Sequence, residues 1–148
     1  MSKAKTRLLF CLMGLRMSAI SERSPGHASA PASVNADAMK TSAGALHVLP
    51  VCRERNINQA IRFLKNCGVK VFAASEKGSE LYTRVSYDGP VAIVMGAEDT
   101  GVSAENLRIC DQIVKIPQFG TIGSLNVSVA SSIMIYEVIR QRMNEMKE

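Results

Sequence analysis

The sequence predicts an α/β fold in which a parallel sheet is flanked by helices. Residues 69–74 and 91–95 are short and almost wholly apolar, which is typical of strands covered on both faces. A clear amphipathic helix precedes the first of these strands, and a long helix follows a third strand at residues 112–116. Strands that alternate with helices at this pace indicate a parallel sheet, because each parallel crossover needs a connection of helical length.

The first predicted elements follow the N-terminal segment. Residues 35–42 predict a short helix that ends before Gly44, and residues 45–51 predict a strand interrupted by Pro50. Asn56 is the expected N-cap of the clearest helix in the chain. The apolar face of that helix and the glycine just past its end comprise Ile57, Ala60, Ile61, Leu64 and Gly68.

The second half of the chain is predicted to end in a long apolar helix. Residues 75–88 form a polar connection, and residues 124–126 open a helix that continues to about Met143. Because apolar side chains cover nearly its whole circumference, we expect burial on most sides, which in a domain of this size favours a second subunit. These apolar residues are Val127, Val129, Ala130, Ile133, Met134, Ile135, Tyr136, Val138 and Ile139.

Composition indicates one globular domain. The net charge of the chain does not support RNA binding, because most of it lies in the N-terminal segment. The chain has 148 residues, is 47% hydrophobic and carries a formal charge of +5. Residues 1–33 hold five basic residues and one acid, whereas residues 34–148 hold 13 basic and 12 acidic residues. A basic surface must therefore come from local clusters, although a solvated helix face is the simpler interpretation of Arg53, Arg55, Arg62 and Lys65. With no Trp and few aromatic residues, base-stacking platforms are not expected.

Cysteine and histidine usage predicts no metal site. The four cysteines are widely spaced and form no Cys-x-x-Cys pair, and the two histidines are isolated from one another. Reduced thiols are typical of the cytoplasm, which is the expected location. No apolar run reaches the length of a membrane span.

The loop after the strand at residues 91–95 narrows the class of ligand. It runs from Gly96 to Gly101 and carries Glu98 and Asp99, without the glycine spacing or the lysine of a phosphate-cradling loop. Phosphate binding is therefore not expected. A nucleoside or a cationic cofactor that approaches the glycine backbone closely suits the loop better, and S-adenosylmethionine is both.

Two stretches of the C-terminal third carry a family resemblance. MGAEDTG at residues 95–101 and IPQFGTIGSLNVSVASSIMIYEVIRQR at residues 116–142 resemble the second and third signature motifs of the SpoU (TrmH) branch of the SPOUT methyltransferases. The likeness extends back to about residue 34. It implies a SPOUT-type α/β fold with a C-terminal trefoil knot, S-adenosylmethionine bound in the knot, and a homodimer. The implied reaction is 2′-O-methylation of a ribose, with a guanosine of ribosomal RNA preferred over transfer RNA.

The resemblance also implies roles for individual residues. It implies cofactor binding, mainly through backbone groups, by Gly96, Ile116 and Leu125, with Met95, Gly101 and Pro117 beside them. It implies a catalytic pocket shaped by Glu98, Ser124 and Asn126. Without the family, Glu98 is a solvated loop acid and the other two are helix caps. With both motifs present, a functional role is the preferred interpretation of Glu98 and Asn126. For Ser124 the functional and the capping interpretations stay equally open.

The N-terminal segment, residues 1–33, departs from the family pattern. Basic residues followed by the apolar residues 8–15 mimic a secretion signal, and the Ser, Ala and Pro of residues 17–33 are typical of a linker. Codons also exist for residues 17–26 that, read one nucleotide earlier, encode Asp-Val-Arg-Asn-Phe-Gly-Ala-Ile-Ala-Arg, which resembles the family's first motif. We hypothesise that residues from about 8 to 33 are an out-of-frame translation of that motif. The methyltransferase domain at residues 34–148 is then incomplete on its N-terminal side.

The missing motif leaves alternatives open. In the family it contributes an asparagine and an arginine to the active site. One alternative is therefore a catalytically inactive knotted dimer that binds S-adenosylmethionine or RNA. A transfer RNA methyltransferase is a second, and a fragment that does not fold stably is a third.

Overall fold

The computed structural model shows a parallel sheet with helices on both faces. It describes residues 54, 56–96, 100–119 and 125–143, and the backbone of residues 8–12, 144 and 145. The strands are β1 (Leu8–Leu12), β2 (Lys70–Ala74), β3 (Glu80–Leu81), β4 (Val91–Met95) and β5 (Gln112–Lys115), and the helices are α1 (Ile57–Asn66), α2 (Ala104–Ile109) and α3 (Val127–Glu145). The five strands lie in the order β1-β4-β2-β5-β3, and all the pairings are parallel. The predicted fold class is confirmed.

Strand β4 is covered on both faces, as its unbroken apolar sequence predicts. All five of its residues are buried. Because successive side chains of a strand point to opposite faces, Ala92 and Val94 pack in one core cluster with residues of α1 and α2, whereas Val91, Ile93 and Met95 pack in a second cluster with residues of α3. The sheet therefore separates two apolar cores, and β4 contributes to both.

Helix α1 begins and ends where its sequence signals predict. The side chain of Asn56 accepts a hydrogen bond from the backbone N–H of Gln59 at 3.1 Å. Gly68, just past the last turn, has a φ of +77°, a conformation that favours glycine. Ile57 and Ile61 are fully buried against the sheet. The predicted amphipathic helix and its N-cap are confirmed.

Helix α3 is buried along one face and exposed along the other. The buried apolar residues of this helix are Val127, Ala130, Met134 and Val138. The exposed large hydrophobic residues of this helix are Val129, Tyr136, Ile139 and Met143. In a single chain, the expected burial on most sides is therefore met on one side only, because the sheet can cover only one face of the helix.

The connection between β2 and β4 holds more structure than its polar sequence predicts. Strand β3 pairs with β5 at the edge of the sheet, and the buried ring of Tyr87 lies 4.7 Å from the ring of Phe72. Gln141 of α3 ties this connection down: its amide nitrogen donates to the carbonyl of Val85 at 3.0 Å, and its amide oxygen accepts from the N–H of Tyr87 at 3.1 Å. A two-residue strand has no periodic pattern, and these contacts come from residues distant in sequence.

Helix α2 is a second element that the sequence analysis did not predict, because six residues are too few for a clear helical period. Its N-cap is Ser103, whose hydroxyl accepts a hydrogen bond from the N–H of Asn106 at 3.3 Å. Glu105 in the first turn and Arg108 in the last turn suit the helix dipole. The signal available in the sequence was Ser103, a residue suited to cap a helix, followed by the acidic Glu105 in the first turn.

Strand β1 belongs to residues 1–33, for which the sequence predicts irregular structure. It pairs with β4 from Leu8 opposite Val91 to Leu12 opposite Met95. Its apolar residues suit a strand, and the sheet therefore extends upstream of the boundary predicted at residue 34. The out-of-frame origin of this segment stays a hypothesis.

Several further expectations fall on parts of the chain outside the described residues. These are the helix predicted at residues 35–42 and the strand predicted at residues 45–51. The loops at residues 97–99 and 120–124, on which the threading of a knot depends, also lie outside them. The trefoil knot therefore stays a prediction.

Candidate cofactor site

The carboxyl ends of three strands meet at one edge of the sheet. In the register of the sheet, Met95 at the end of β4 lies opposite Ala74 of β2, and Ala74 lies opposite Val114 of β5. The two motif loops that follow β4 and β5 are thus separated by the end of β2. Ligands of open α/β sheets bind beyond the carboxyl ends of the strands, so this edge is the candidate site.

The loop after β4 closes tightly on itself. A Cβ atom added to Gly96 would lie 2.2 Å from the carbonyl carbon of Gly101 and 2.3 Å from the nitrogen of Val102. Gly101 itself has a φ of +67°, where glycine is favoured. Both glycines are therefore needed for the shape of the loop. Glu98, between them, lies outside the described residues.

Three of the residues expected to bind the cofactor come together in one apolar cluster. Met95 is buried there, and the half-buried Ile116 and Leu125 pack against the same cluster. This cluster also contains Val127, the first residue of α3. Pro117 follows Ile116 directly and is exposed. The structure thus joins the end of β4, the end of β5 and the start of α3.

Asn126 caps helix α3. Its side-chain oxygen accepts a hydrogen bond from the N–H of Ser128 at 2.9 Å, and its carbonyl accepts from the N–H of Ala130 at 2.9 Å. The capping interpretation therefore has geometric support, and the cap fixes this amide at the carboxyl edge of the sheet. Ser124 lies outside the described residues.

The turn after β2 is a part of this edge that the sequence analysis did not single out. The N–H of Ser75 donates to the carbonyl of Val114 at 2.9 Å, which holds the turn against β5. A Cβ atom on Gly78 would lie 2.7 Å from the carbonyl carbon of Val114 and 2.8 Å from the nitrogen of Lys115. The available signal was positional, because every parallel strand ends at the same edge.

The described carboxylates with shifted pKa values lie away from this edge. Asp111 precedes β5 at the opposite edge. Burial alone would raise the pKa of its carboxyl group, but hydrogen bonds from the N–H of Val71 at 2.8 Å and from Lys65 at 2.9 Å hold that pKa below its usual range. In α3, the hydrogen bonds from Arg140 lower the pKa of Glu137. These shifts concern the stability of the fold.

Among the residues that the structure describes, no group of His, Cys, Asp and Glu is arranged to hold a metal ion. Within the same part of the chain, no helix combines the length and the apolar character needed to cross a membrane.

Comparison with known proteins identifies the family. A family model described as the SpoU rRNA Methylase family matches residues 16–136, which is more than half of the chain. The chain belongs to the SpoU methylase family. The resemblance of the two C-terminal motifs to this family is therefore confirmed.

The relatives in this family differ in length from the chain. The 23S rRNA (guanosine-2'-O-)-methyltransferase RlmB of Vibrio parahaemolyticus is 41% identical over 120 residues, which cover 80% of this chain and 47% of that protein. The chain therefore spans about half the length of this SpoU relative.

Solved structures of methyltransferases and RNA-modifying enzymes share the fold. The TrmH/SpoU tRNA modifying enzyme of A. aeolicus superposes with a TM-score of 0.79 and 26% identity, covering 97% of this chain and 79% of that one. The AdoMet-bound rRNA methyltransferase of Sinorhizobium meliloti superposes with a TM-score of 0.70 and 28% identity, covering 90% of this chain and 54% of that one.

Proposed function

We propose that this chain is the methyltransferase domain of an enzyme that methylates the ribose 2′-hydroxyl of a guanosine in ribosomal RNA, using S-adenosylmethionine. The observation that carries the proposal is the carboxyl edge of the sheet, where Met95, Ile116 and Leu125 share an apolar cluster beside the start of α3. Membership of the SpoU family supports it, as does the name of the Vibrio relative, 23S rRNA (guanosine-2'-O-)-methyltransferase. Such an enzyme would act in the cytoplasm.

The residues described at this edge fit an adenosyl group. Ile116 and Leu125 are half-buried and offer apolar surface to a purine ring. The backbone beyond the ends of β2, β4 and β5 offers N–H and C=O groups to the polar edge of the ring. A structure of the S. meliloti family member is AdoMet-bound, which agrees with this assignment.

The chemistry required of the chain is alignment. S-adenosylmethionine would supply a methyl group on a positively charged sulfur, open to in-line attack by a hydroxyl oxygen. We assign cofactor binding to six residues, Met95, Gly96, Gly101, Ile116, Pro117 and Leu125. We assign the pocket that orients the ribose hydroxyl and helps to remove its proton to Glu98, Ser124 and Asn126.

A homodimer that uses α3 belongs to the proposal. The outer face of this helix exposes Val129, Tyr136, Ile139 and Met143, and Tyr136 alone is 70% exposed. Contiguous exposed apolar surface of this kind marks interaction sites in proteins. A second copy that presents the same face would cover both helices at once, as a two-fold interface requires.

An inactive protein that binds S-adenosylmethionine or RNA is the second candidate. Residues 1–33 favour it, because they do not carry the arginine of the family's first motif in its expected place. Transfer RNA is the alternative substrate, since the A. aeolicus neighbour is a tRNA modifying enzyme.

The test combines cofactor binding with turnover. Calorimetry with S-adenosylmethionine measures binding, and transfer of a radioactive methyl group to protein-free ribosomal RNA or to transfer RNA measures activity. We expect binding and transfer to ribosomal RNA. Binding without transfer to either RNA would select the inactive protein, and transfer to transfer RNA alone would replace the substrate class.

A further inference from the structure

Phe119 is a solvent-exposed aromatic residue beside the candidate site. Its side chain is 93% exposed, the highest value among the large hydrophobic residues that the structure describes. The others, apart from Phe63 on α1, lie along the outer face of α3. Phe119 instead lies in the loop that follows β5, and its exposure leaves one whole face of a ring free for a planar partner.

The loop places this ring close to the proposed cofactor pocket. Ile116 is packed in the apolar cluster shared with Met95 and Leu125, which anchors the start of the loop. Phe119 follows three residues later, so its Cα atom lies within about 11 Å of that of Ile116.

Two lysines lie at the same edge of the sheet. Lys77 is exposed on the turn after β2, and this turn packs against the backbone at Lys115, where a Cβ on Gly78 would lie 2.8 Å from the Lys115 nitrogen. Glu76 on the same turn and Glu80, which lies opposite Val114 of β5, match these two lysines in number. The proposal therefore rests on the exposed ring and not on net charge, because stacking on an aromatic side chain needs only a free ring face.

We propose that Phe119 stacks on an unpaired base of the RNA substrate, next to the nucleotide whose ribose is methylated. This inference rests on the proposed function. A single ring of this kind is compatible with the scarcity of aromatic residues in the chain, because one stacked base needs only one ring. Removing the ring should weaken RNA binding roughly 5-fold to 150-fold, the range that base stacking on an aromatic side chain supplies.

A second copy of the chain is the competing occupant, because an exposed ring can also fill a dimer interface. Leucine and tryptophan at position 119 separate the two. Both are apolar and can fill an interface, but only tryptophan can stack on a base.

The experiment compares Phe119→Leu, Phe119→Trp and wild type at one salt concentration. Fluorescence anisotropy measures affinity for a labelled single-stranded RNA of about 20 nucleotides. Calorimetry measures S-adenosylmethionine affinity, and sedimentation equilibrium measures self-association. Phe63→Leu is the matched control, since Phe63 is 67% exposed on α1, which packs on the sheet face opposite α3.

We expect Phe119→Leu to lose RNA affinity while cofactor affinity and self-association stay at wild-type values, and Phe119→Trp and Phe63→Leu to retain RNA affinity. Equal RNA affinity in Phe119→Leu and wild type overturns the inference, since leucine can fill an interface but cannot stack on a base. A wild-type chain that binds no RNA also overturns it. The proposed function fails separately, if wild type transfers no methyl group to ribosomal RNA.

Discussion

At the residue scale, Asn126 is both the observed cap of α3 and a proposed pocket residue, and two substitutions separate these roles. Aspartate is as good an N-cap as asparagine, so Asn126→Asp should change the free energy of unfolding by less than about 0.5 kcal/mol. Asn126→Ala removes the cap and should lower it by about 1 kcal/mol. Both remove the amide N–H groups, so both should abolish methyl transfer. Denaturant unfolding and the RNA methylation assay give the two readouts.

If Asn126→Asp retained wild-type turnover, Asn126 would act only as a helix cap and not as a pocket residue. The site would then have to be built from other groups near the start of α3.

Gly96 provides a test of the loop after β4. Gly96→Ala places a Cβ atom 2.2 Å from the backbone of Gly101, so the loop must open. We expect a loss of about 1–3 kcal/mol in the free energy of unfolding, as for other overpacked sites. Cofactor affinity should also fall by at least tenfold, because the loop no longer holds its shape.

Gly89→Ala is the matched control for this change. Gly89 has a φ of +71° with open space around it, so alanine there should cost about 1 kcal/mol through backbone strain alone. Its cofactor affinity should equal that of wild type in calorimetry. Equal cofactor affinities for Gly96→Ala and Gly89→Ala would contradict the role given to the loop.

The sequence locates some features of this site and leaves others unreadable. The placement of Ile116 and Leu125 beside the ends of the strands follows from motifs that are continuous in sequence. The direct contact between Gly96 and Gly101 depends on how the loop closes, which glycine spacing alone does not specify. The turn at Ser75 reaches the site through pairing with Val114, a contact between distant residues that has no local pattern.

At the element scale, Asp111 joins α1, β2 and the start of β5. Its carboxyl group accepts from the N–H of Val71 and pairs with Lys65, which also donates to the carbonyl of Ile109 at 2.7 Å. These partners hold the pKa of Asp111 below its unfolded value, so its stabilising effect is present above the unfolded pKa of about 3.9. As pH falls from there through the folded pKa, that effect is lost.

Asp111→Asn should therefore lower the free energy of unfolding by about 1 kcal/mol at pH 7, since the pair is a third exposed and partly screened. The difference from wild type should shrink as pH falls below about 4. Urea unfolding at several pH values measures it. Glu76→Gln, at an exposed turn, is the control and should show no such difference. A difference between Asp111→Asn and wild type that is constant from pH 7 to pH 3 would exclude the charge as its cause.

Long or strongly patterned elements could be predicted, and the shortest elements without a pattern of their own could not. Helix α1 has a cap, an apolar face and a terminating glycine within one stretch of sequence, and strand β4 is apolar throughout. Strand β3 has two residues, and its existence depends on β5 lying beside it. Similarly, the tie between Gln141 and the Tyr87 segment joins residues more than fifty positions apart.

At the scale of the whole molecule, the outer face of α3 is the proposed contact between two copies. Tyr136→Asp places a charge at the most exposed apolar position of that face, and a buried unpaired charge is strongly unfavourable. We expect the chain to sediment as a dimer and Tyr136→Asp as a monomer with unchanged helix content. Phe63→Asp, at an exposed aromatic on α1, should leave the dimer intact.

Dissociation of neither variant, or of both, would place the interface elsewhere.

The family and the parallel sheet were accessible from two motifs and the alternation of strands with helices. The order of the strands was not, because it depends on pairings between distant segments.

That order has a consequence for how the chain reaches its native state. Each described strand pairs only with strands that are not its neighbours in sequence, so no local hairpin among them can nucleate the sheet. Strand β1 cannot pair until its partner, residues 91–95, has been synthesised. At ordinary rates of translation these residues emerge roughly 4–17 s after residues 8–12. During that interval helix α1 is the described element best able to form on its own. High contact order should make folding slow. Because unpaired apolar strands are prone to aggregate, we expect the nascent chain to need a chaperone.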